Sequence, residues 1–148
     1  MDRFRGSAPA RLDEKGRLKV PNLFRQQIEE AFGPEVFVTS LHGHEVLVYP
    51  LTIWRALEEK LASLPAIHRA KTKFLERVNY FGQDASLDAQ GRVLVPQILR
   101  DAAKLPPDVV VTGNIDHLVV SDRAALAKRL ISEDFTAEDY DELSKLLS

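Results

Sequence analysis

Two copies of one short motif, Asp-x-x-Gly-Arg, carry the residue types best suited to recognition chemistry: Asp13, Gly16 and Arg17 in the first copy, and Asp88, Gly91 and Arg92 in the second. An aspartate side chain can cap a tight turn, and glycine supplies the positive φ that such a turn needs. An arginine on a turn can donate two hydrogen bonds to O6 and N7 of a guanine in a DNA groove. It can equally pair with the aspartate of its own turn and only hold the fold, and a single copy favours that structural role.

The motif belongs to a longer internal repeat. Residues 12–21 recur as residues 87–96, an offset of 75, and six of the ten positions are identical. The same offset aligns Phe24-Arg25 with Leu99-Arg100, and looser matches follow in the same order. A repeat of this kind indicates that each half of the chain has one layout, so the chain is a tandem duplication.

The elements that must position the motifs follow from turn and period signals. Leu18 and Val20 alternate with basic residues, as in a half-buried strand, and Val93 and Val95 stand in the same places. Pro21 and Pro96 precede short helices, predicted at 22–32 and 97–104. A hairpin then follows in each half, with strands at 36–40 and 46–49 around His42-Gly43-His44, and at 109–112 and 117–121 around Gly113-Asn114.

Each half closes with an amphipathic helix. The first places Trp54, Leu57, Leu61 and Leu64 on one stripe, and the second is expected to turn Leu126 and Leu130 inward. Thr136 begins a capping signal for a last acidic helix through Leu147. These elements predict a first module at 1–65, a basic helical connector at 66–83, a second module at 84–131 and an acidic helix at 132–148.

Net charge is unevenly distributed along the 148 residues. The whole chain carries −2, but residues 1–25 carry +4 and residues 132–148 carry −5. The basic head could neutralise phosphates, although a solvated strand face would have the same charge. The chain has no cysteine, no apolar stretch long enough for a membrane span and no apolar segment typical of a secretory signal. A cytoplasmic protein without membrane association is expected.

Catalytic chemistry has little support in the sequence. His42 and His44 flank a glycine without a third metal ligand, and His68 and His117 have no carboxylate or nucleophile at a motif spacing. Motifs typical of nucleotide binding, nucleophilic catalysis or zinc proteases are missing from the sequence. Trp54 and Phe74 lie on apolar stripes, which favours a place in the core or in a subunit interface. We expect neither an enzyme nor a bound cofactor or metal.

Together these blocks resemble the MraZ family of bacterial transcriptional regulators. The resemblance rests on Phe4-Arg5-Gly6, on the two Asp-x-x-Gly-Arg turns that each precede a strand and a proline, and on Leu47-Val48-Tyr49-Pro50 before Trp54. It covers essentially the whole chain. The resemblance implies an α+β fold, in which two tandem SpoVT/AbrB-like swapped-hairpin modules with flanking helices pair about a pseudo-two-fold axis.

The family also implies a partner and a set of contact residues. Its members bind G-rich direct repeats of double-stranded DNA in the promoter of the division and cell-wall gene cluster, as rings of about eight or more subunits. They are nucleoid-associated, and their DNA binding is attributed to the aspartate and arginine of the motif. Arg17 and Arg92 would then reach the DNA, with Asp13, Gly16, Asp88 and Gly91 forming the turns. By extension we expect phosphate contacts from Arg5, Lys15 and Lys19.

The two copies are expected to contribute unequally, because Gln90 replaces Lys15 and Leu94 replaces Lys19 in the second copy. Two other functions remain open at this point. An antitoxin-like DNA-binding protein could use the acidic tail to neutralise a toxin. A ring-forming interaction protein could carry the same basic loops without binding DNA.

Overall fold

The computed structural model describes residues 3–148; residues 1 and 2, where the predicted first module begins, lie outside the described residues. The described chain is α+β, as predicted. Its strands are β1 Ser7–Arg11, β2 Arg17–Lys19, β3 Glu35–Thr39, β4 Val46–Pro50, β5 Gln83–Ser86, β6 Arg92–Leu94, β7 Asp108–Asn114 and β8 His117–Asp122. Its helices are α1 Asn22–Ala31, α2 Leu51–Ala62, α3 Arg69–Phe81, α4 Gln97–Ala103, α5 Arg123–Ser132 and α6 Ala137–Leu147.

The two halves of the chain exchange their first strands. Six strands form one antiparallel sheet in the order β1-β7-β8-β4-β3-β5. The first strand of each half, β1 or β5, therefore pairs with the hairpin of the other half at a sheet edge. The remaining strands, β2 and β6, pair with each other in a separate two-stranded ribbon.

The two exchanged strands pair at equivalent positions of the internal repeat. Arg11 of β1 lies opposite Asp108 of β7, and Ser86 of β5 lies opposite Glu35 of β3. The backbone N–H of Leu12 donates to the carbonyl of Pro107 at 2.9 Å, and that of Leu87 donates to the carbonyl of Pro34 at 2.9 Å. This equivalence confirms the predicted pseudo-symmetric pairing of two swapped-hairpin modules.

One apolar core spans both halves. Its buried members include Phe4, Leu18 and Phe24 from the first half and Val93, Leu99 and Leu118 from the second. Neither half could bury these side chains alone, because units this small expose too much of their surface. A second cluster beside the sheet contains Phe37, Trp54 and Val78, and it packs α3 against α2 and β3.

Three local predictions need correction. Gly113 and Asn114 continue β7, and the turn of the second hairpin lies at Ile115 and Asp116. Position 113 requires glycine because the backbone of Phe4 approaches closely, and an added Cβ would lie 2.5 Å from it. Leu64 is 45% exposed and does not extend the stripe of α2, because the helix ends at Ala62, and Leu130 is 66% exposed at the end of α5 and does not face inward.

The last helix begins where the sequence predicts. The Thr136 side chain accepts a hydrogen bond from the N–H of Asp139 at 3.1 Å, and the Asp139 carboxylate accepts one from the N–H of Thr136 at 2.9 Å. This reciprocal capping box fixes the start of α6. Within residues 3–148, no helix is both long and apolar enough to cross a membrane.

Candidate nucleic-acid interface

Both motif turns are closed by their aspartates in the same way. Oδ1 of Asp13 accepts hydrogen bonds from the backbone N–H of Lys15 at 3.0 Å and of Arg17 at 2.8 Å. Oδ1 of Asp88 accepts from the N–H of Gln90 at 2.9 Å and of Arg92 at 2.8 Å. The turn glycines, Gly16 and Gly91, have φ values of +83° and +76°. Each turn is thus built by its own short sequence.

The second oxygen of each aspartate holds the motif arginine. Nε of Arg17 donates to Oδ2 of Asp13 at 2.8 Å, and Nε of Arg92 donates to Oδ2 of Asp88 at 2.9 Å. Within residues 3–148 the Nη atoms of both arginines have no partner, and the side chains remain 34% and 30% exposed. Each motif arginine therefore does pair with the aspartate of its own turn, as a purely structural role requires. This pairing uses Nε and leaves the two Nη atoms of the guanidinium free.

The aspartates are charged at neutral pH. The backbone hydrogen bond from Arg17 holds the pKa of Asp13 below its ordinary value, and the bond from Arg92 does the same for the pKa of Asp88. The paired guanidinium groups lower both pKa values further. Each turn consequently holds its arginine by a charge-assisted hydrogen bond, which is stronger and more directional than a neutral one.

The β2–β6 ribbon brings the two motif arginines together, although they are 75 residues apart in sequence. Arg17 lies opposite Leu94, and Lys19 lies opposite Arg92. Because side chains alternate across a strand, the buried Leu18 and Val93 share the inner face. The outer face, which we call the ribbon face, carries Arg17, Lys19, Arg92 and Leu94.

The dimensions of the ribbon face suit a DNA groove. Arg17 and Arg92 are diagonal neighbours, so their Cα atoms are roughly 7–8 Å apart. The two turns lie at opposite ends of the ribbon, because β2 and β6 are antiparallel. A two-stranded ribbon fits into the major groove, which is about 12 Å wide. The pairing therefore presents two arginines and one lysine along a single groove-sized surface.

Two arginines that the sequence did not single out hold the turns from behind. The Arg25 side chain of α1 lies over Gly91, and its Nη2 donates to the carbonyl of Ala89 at 2.9 Å. The Arg100 side chain of α4 lies over Gly16, where an added Cβ would be 2.3 Å from its Nε. Each half thus supports the turn of the other. The only signal was the repeat of Phe24-Arg25 as Leu99-Arg100.

The other predicted contact residues have different positions. Lys15 is exposed at the tip of the first turn, and Lys19 is exposed on the ribbon face. Arg5 is also exposed, but it precedes β1 and lies beside Gly113, at the end of β1 away from the turn. The five residues of β1 separate it from that turn by about 17 Å. The structure therefore brings Lys19 together with the motif arginines, and it does not bring Arg5 to the ribbon.

The histidines and large aromatic residues make stacking contacts within the fold. His42 and His44 stack at 5.7 Å in an exposed turn, and His117 stacks on Tyr49 at 4.3 Å. In the described part of the chain, no three acidic or histidine side chains are grouped to hold a metal ion. Trp54 is 2% exposed and stacks on Phe37 at 4.7 Å, which places it in the core.

Comparison with known proteins gives a consistent result over nearly the full chain. A family model described as MraZ protein matches residues 4–77 and 83–144. The transcriptional regulator MraZ of Acidobacterium capsulatum is 47% identical over 142 residues, which cover 96% of this chain and 97% of that protein. The transcriptional regulator MraZ of Koribacter versatilis is 44% identical over 144 residues, 97% of this chain and 98% of that protein. The two matched segments correspond to the two halves of the repeat.

Proposed function

The chain belongs to the MraZ family, and on that premise we propose that it is a sequence-specific DNA-binding transcriptional regulator. The observation that carries the proposal is the ribbon face, on which Arg17 and Arg92 point the same way with free Nη atoms. The names of the relatives describe regulators rather than enzymes, in agreement with the expectation that the chain is not an enzyme.

In the proposed complex the ribbon face enters the major groove. Asp13 and Asp88 hold Nε of the motif arginines, so that the Nη atoms can donate to O6 and N7 of guanine. Lys19 on the ribbon and Lys15 at the turn tip neutralise phosphates on either side of the groove. The turn glycines keep the backbone slim where it approaches the DNA.

The first copy of the motif contributes more to affinity than the second. Lys15 and Lys19 flank Arg17, whereas Gln90 and Leu94 occupy the equivalent places near Arg92. Each released counterion adds to binding, so a half with three cations binds phosphates better than a half with one. Arg5 lies away from the ribbon, so the phosphates that it contacts are more distant ones on the same DNA.

A single chain offers few cations and binds one site weakly. We propose that rings of about eight or more subunits carry several ribbon faces to successive direct repeats, which raises the apparent affinity through effective concentration. The proposed operator is a set of G-rich repeats in the promoter of the division and cell-wall gene cluster, which puts the protein in the cytoplasm on the nucleoid. In this scheme 1–65 and 84–131 are the two modules, joined by 66–83 and followed by 132–148.

The double variant Arg17→Ala/Arg92→Ala tests the proposal in a gel shift on the upstream DNA of the gene itself. Each bidentate contact to guanine is worth about 1–3 kcal/mol, so the double variant should bind at least about 30-fold more weakly. Arg55→Ala/Arg123→Ala, at exposed helix positions away from the ribbon, is the matched control and should bind like the wild type. Wild-type binding by the ribbon variant, with its assembly unchanged, would contradict the proposed site.

A further inference from the structure

The end of the chain forms a helical arm whose last helix, α6, buries no residue. Every residue from 127 to 148, which we call the C-terminal arm, is exposed. Helices of this length are marginal in water when they have no packing partner. The arm nonetheless carries a dense set of large apolar side chains: Leu130, Ile131, Phe135, Tyr140, Leu143, Leu146 and Leu147. Such a surface on a folded protein marks an interaction site.

Helix α6 of the arm is both acidic and amphipathic. Tyr140, Leu143 and Leu147 are spaced i, i+3 and i+7, so they share one side of the helix. Phe135 extends this side, because its ring packs edge-on against Tyr140 at 5.9 Å. The helix contains four acidic residues and a single lysine. Its partner must therefore offer an apolar surface with basic residues at the rim.

The same chain carries a surface of that chemistry beside α3. A groove of about 350 Å³ is lined by Leu41, His42, Ala70, Lys73, Phe74 and Arg77. Leu41 and Phe74 give it an apolar floor, and Lys73 and Arg77 stand at its rim. Nη1 of Arg77 donates to the carbonyl of Leu41 at 3.3 Å, which fixes the guanidinium beside the groove. Lys73 is exposed and has no ion-pair partner in the described chain.

Helices α3 and α6 occupy equivalent places in the internal repeat, but only α3 buries a side chain against the rest of the chain. In each half a hairpin is followed by two helices, so α3 and α6 occupy equivalent places in the order of elements. Helix α3 buries Val78 and packs Phe74 against the cluster around Trp54. The corresponding helix α6 buries no residue. The two helices have also diverged in charge, with a net charge of +3 on α3 and −3 on α6.

We propose that α6 of one copy docks in the α3 groove of a second copy, so that subunits join head to tail. The inference rests on the self-assembly stated under the proposed function, and it names the surfaces that make the contact. Each chain supplies one arm and one groove, and a heterologous contact of this type generates a ring when the rotation between neighbours closes. Charge complementarity between the acidic helix and the basic rim sets which surfaces meet.

Charge reversal tests the contact, with molar mass measured by light scattering during size-exclusion chromatography at low salt. The groove variant is Lys73→Glu/Arg77→Glu, and the arm variant is Asp141→Lys/Glu142→Lys, which spares the capping box. Each variant alone should elute with the mass of one chain. An equimolar mixture should regain the wild-type mass, because each reversed surface then meets a complementary one. Arg55→Glu/Lys60→Glu, on the exposed side of α2, is the control and should assemble like the wild type.

Three outcomes would overturn the proposed contact: a wild-type chain with the mass of one subunit, an arm variant that keeps the wild-type mass, or no recovery on mixing. The second outcome would leave the arm free for a different protein, such as a toxin. DNA binding separates this inference from the proposed function. The arm variant should bind DNA with one repeat like the wild type, and DNA with several repeats roughly 100-fold more weakly. Arg17→Ala/Arg92→Ala should lose binding to DNA with one repeat and to DNA with several repeats, and should keep the wild-type mass.

Discussion

Substitution of Gly16 by alanine tests how the two halves hold each other's turns. Gly16 has a φ of +83°, and a Cβ there would lie 2.3 Å from Nε and 2.5 Å from Cζ of Arg100. Gly6 has a similar φ of +87°, but a Cβ there would meet nothing within 4 Å. Gly6→Ala is therefore a control for backbone strain alone, and the difference between the two variants reports the contact with Arg100.

The magnitudes follow from these contacts. A left-handed conformation costs an alanine about 1–2 kcal/mol, which is the whole penalty expected for Gly6→Ala. In Gly16→Ala the Arg100 side chain must also move and lose the hydrogen bond from its Nη2 to Oε1 of Gln97, at 2.6 Å. That bond is exposed and contributes about 1 kcal/mol. Gly16→Ala should therefore be the less stable variant by about 1 kcal/mol, or a Tm lower by about 2–4 °C.

Thermal unfolding at one fixed protein concentration is the appropriate assay, because assembly makes Tm depend on concentration. The variant Arg100→Ala should remove the contact, so adding Gly16→Ala to it should cost only what Gly6→Ala costs in the wild type. Because Arg100 supports the first turn, its displacement in Gly16→Ala should also weaken DNA binding, whereas Gly6→Ala should bind DNA like the wild type. Equal stability of the two alanine variants, or an undiminished penalty in the Arg100→Ala background, would show that Arg100 does not support the first turn.

Three further predictions concern the ribbon face, the turn carboxylates and the arm. Leu94→Lys restores the cation that the second copy lacks and should steepen the dependence of log K on log salt by about 0.9, whereas Leu94→Gln should not. The folded-state pKa of Asp13 lies below its ordinary value of 3.8, so its stabilising effect is present above that value and lost as the pH falls through the lower one. Asp13→Asn should therefore be less stable than the wild type at neutral pH, and the difference in urea unfolding should shrink towards the acid end. Thr136→Ala removes the cap of α6 at a cost of about 1 kcal/mol and should lower the helical circular dichroism signal, while Thr136→Ser should retain it.

The local parts of the fold could be predicted because the residues that form them are neighbours in sequence. Each Asp-x-x-Gly-Arg turn is closed by hydrogen bonds between residues at most four apart, such as Asp13 and Arg17. The alternation of Leu18 and Val20 with basic residues predicted the inner and outer faces of β2. The cap at Thr136 was equally local, and it was confirmed.

The exchange of β1 and β5 was a different case. Neither segment reads as a strand from its own residues, since β1 contains Pro9 and β5 contains no β-branched residue. Each becomes a strand because the hairpin of the other half offers an open sheet edge, and an edge tolerates proline. Only the family resemblance predicted this swap, because periodicity within one half does not contain it.

In the candidate site, too, the local contacts could be predicted from the sequence and the long-range contacts could not. The motif arginines and aspartates were predicted from spacing, and their role in DNA binding remains a prediction. The support from Arg25 and Arg100 joins elements that are more than 60 residues apart, such as Arg25 and Ala89. Local pattern analysis cannot detect contacts of this kind. The outward position of Leu130 was missed for a related reason, because the partner of an amphipathic helix need not lie in the same chain.

In the proposed function, ribbon faces that are repeated around an assembly bind repeated sites in DNA. Footprinting of the wild-type protein on the upstream region of its own gene, across a series of salt concentrations, tests it most directly. We expect protection at regular intervals that coincides with direct repeats, weakens as salt rises and disappears in Arg17→Ala/Arg92→Ala. Protection without periodicity, or a periodic footprint that survives the loss of both arginines, would contradict it.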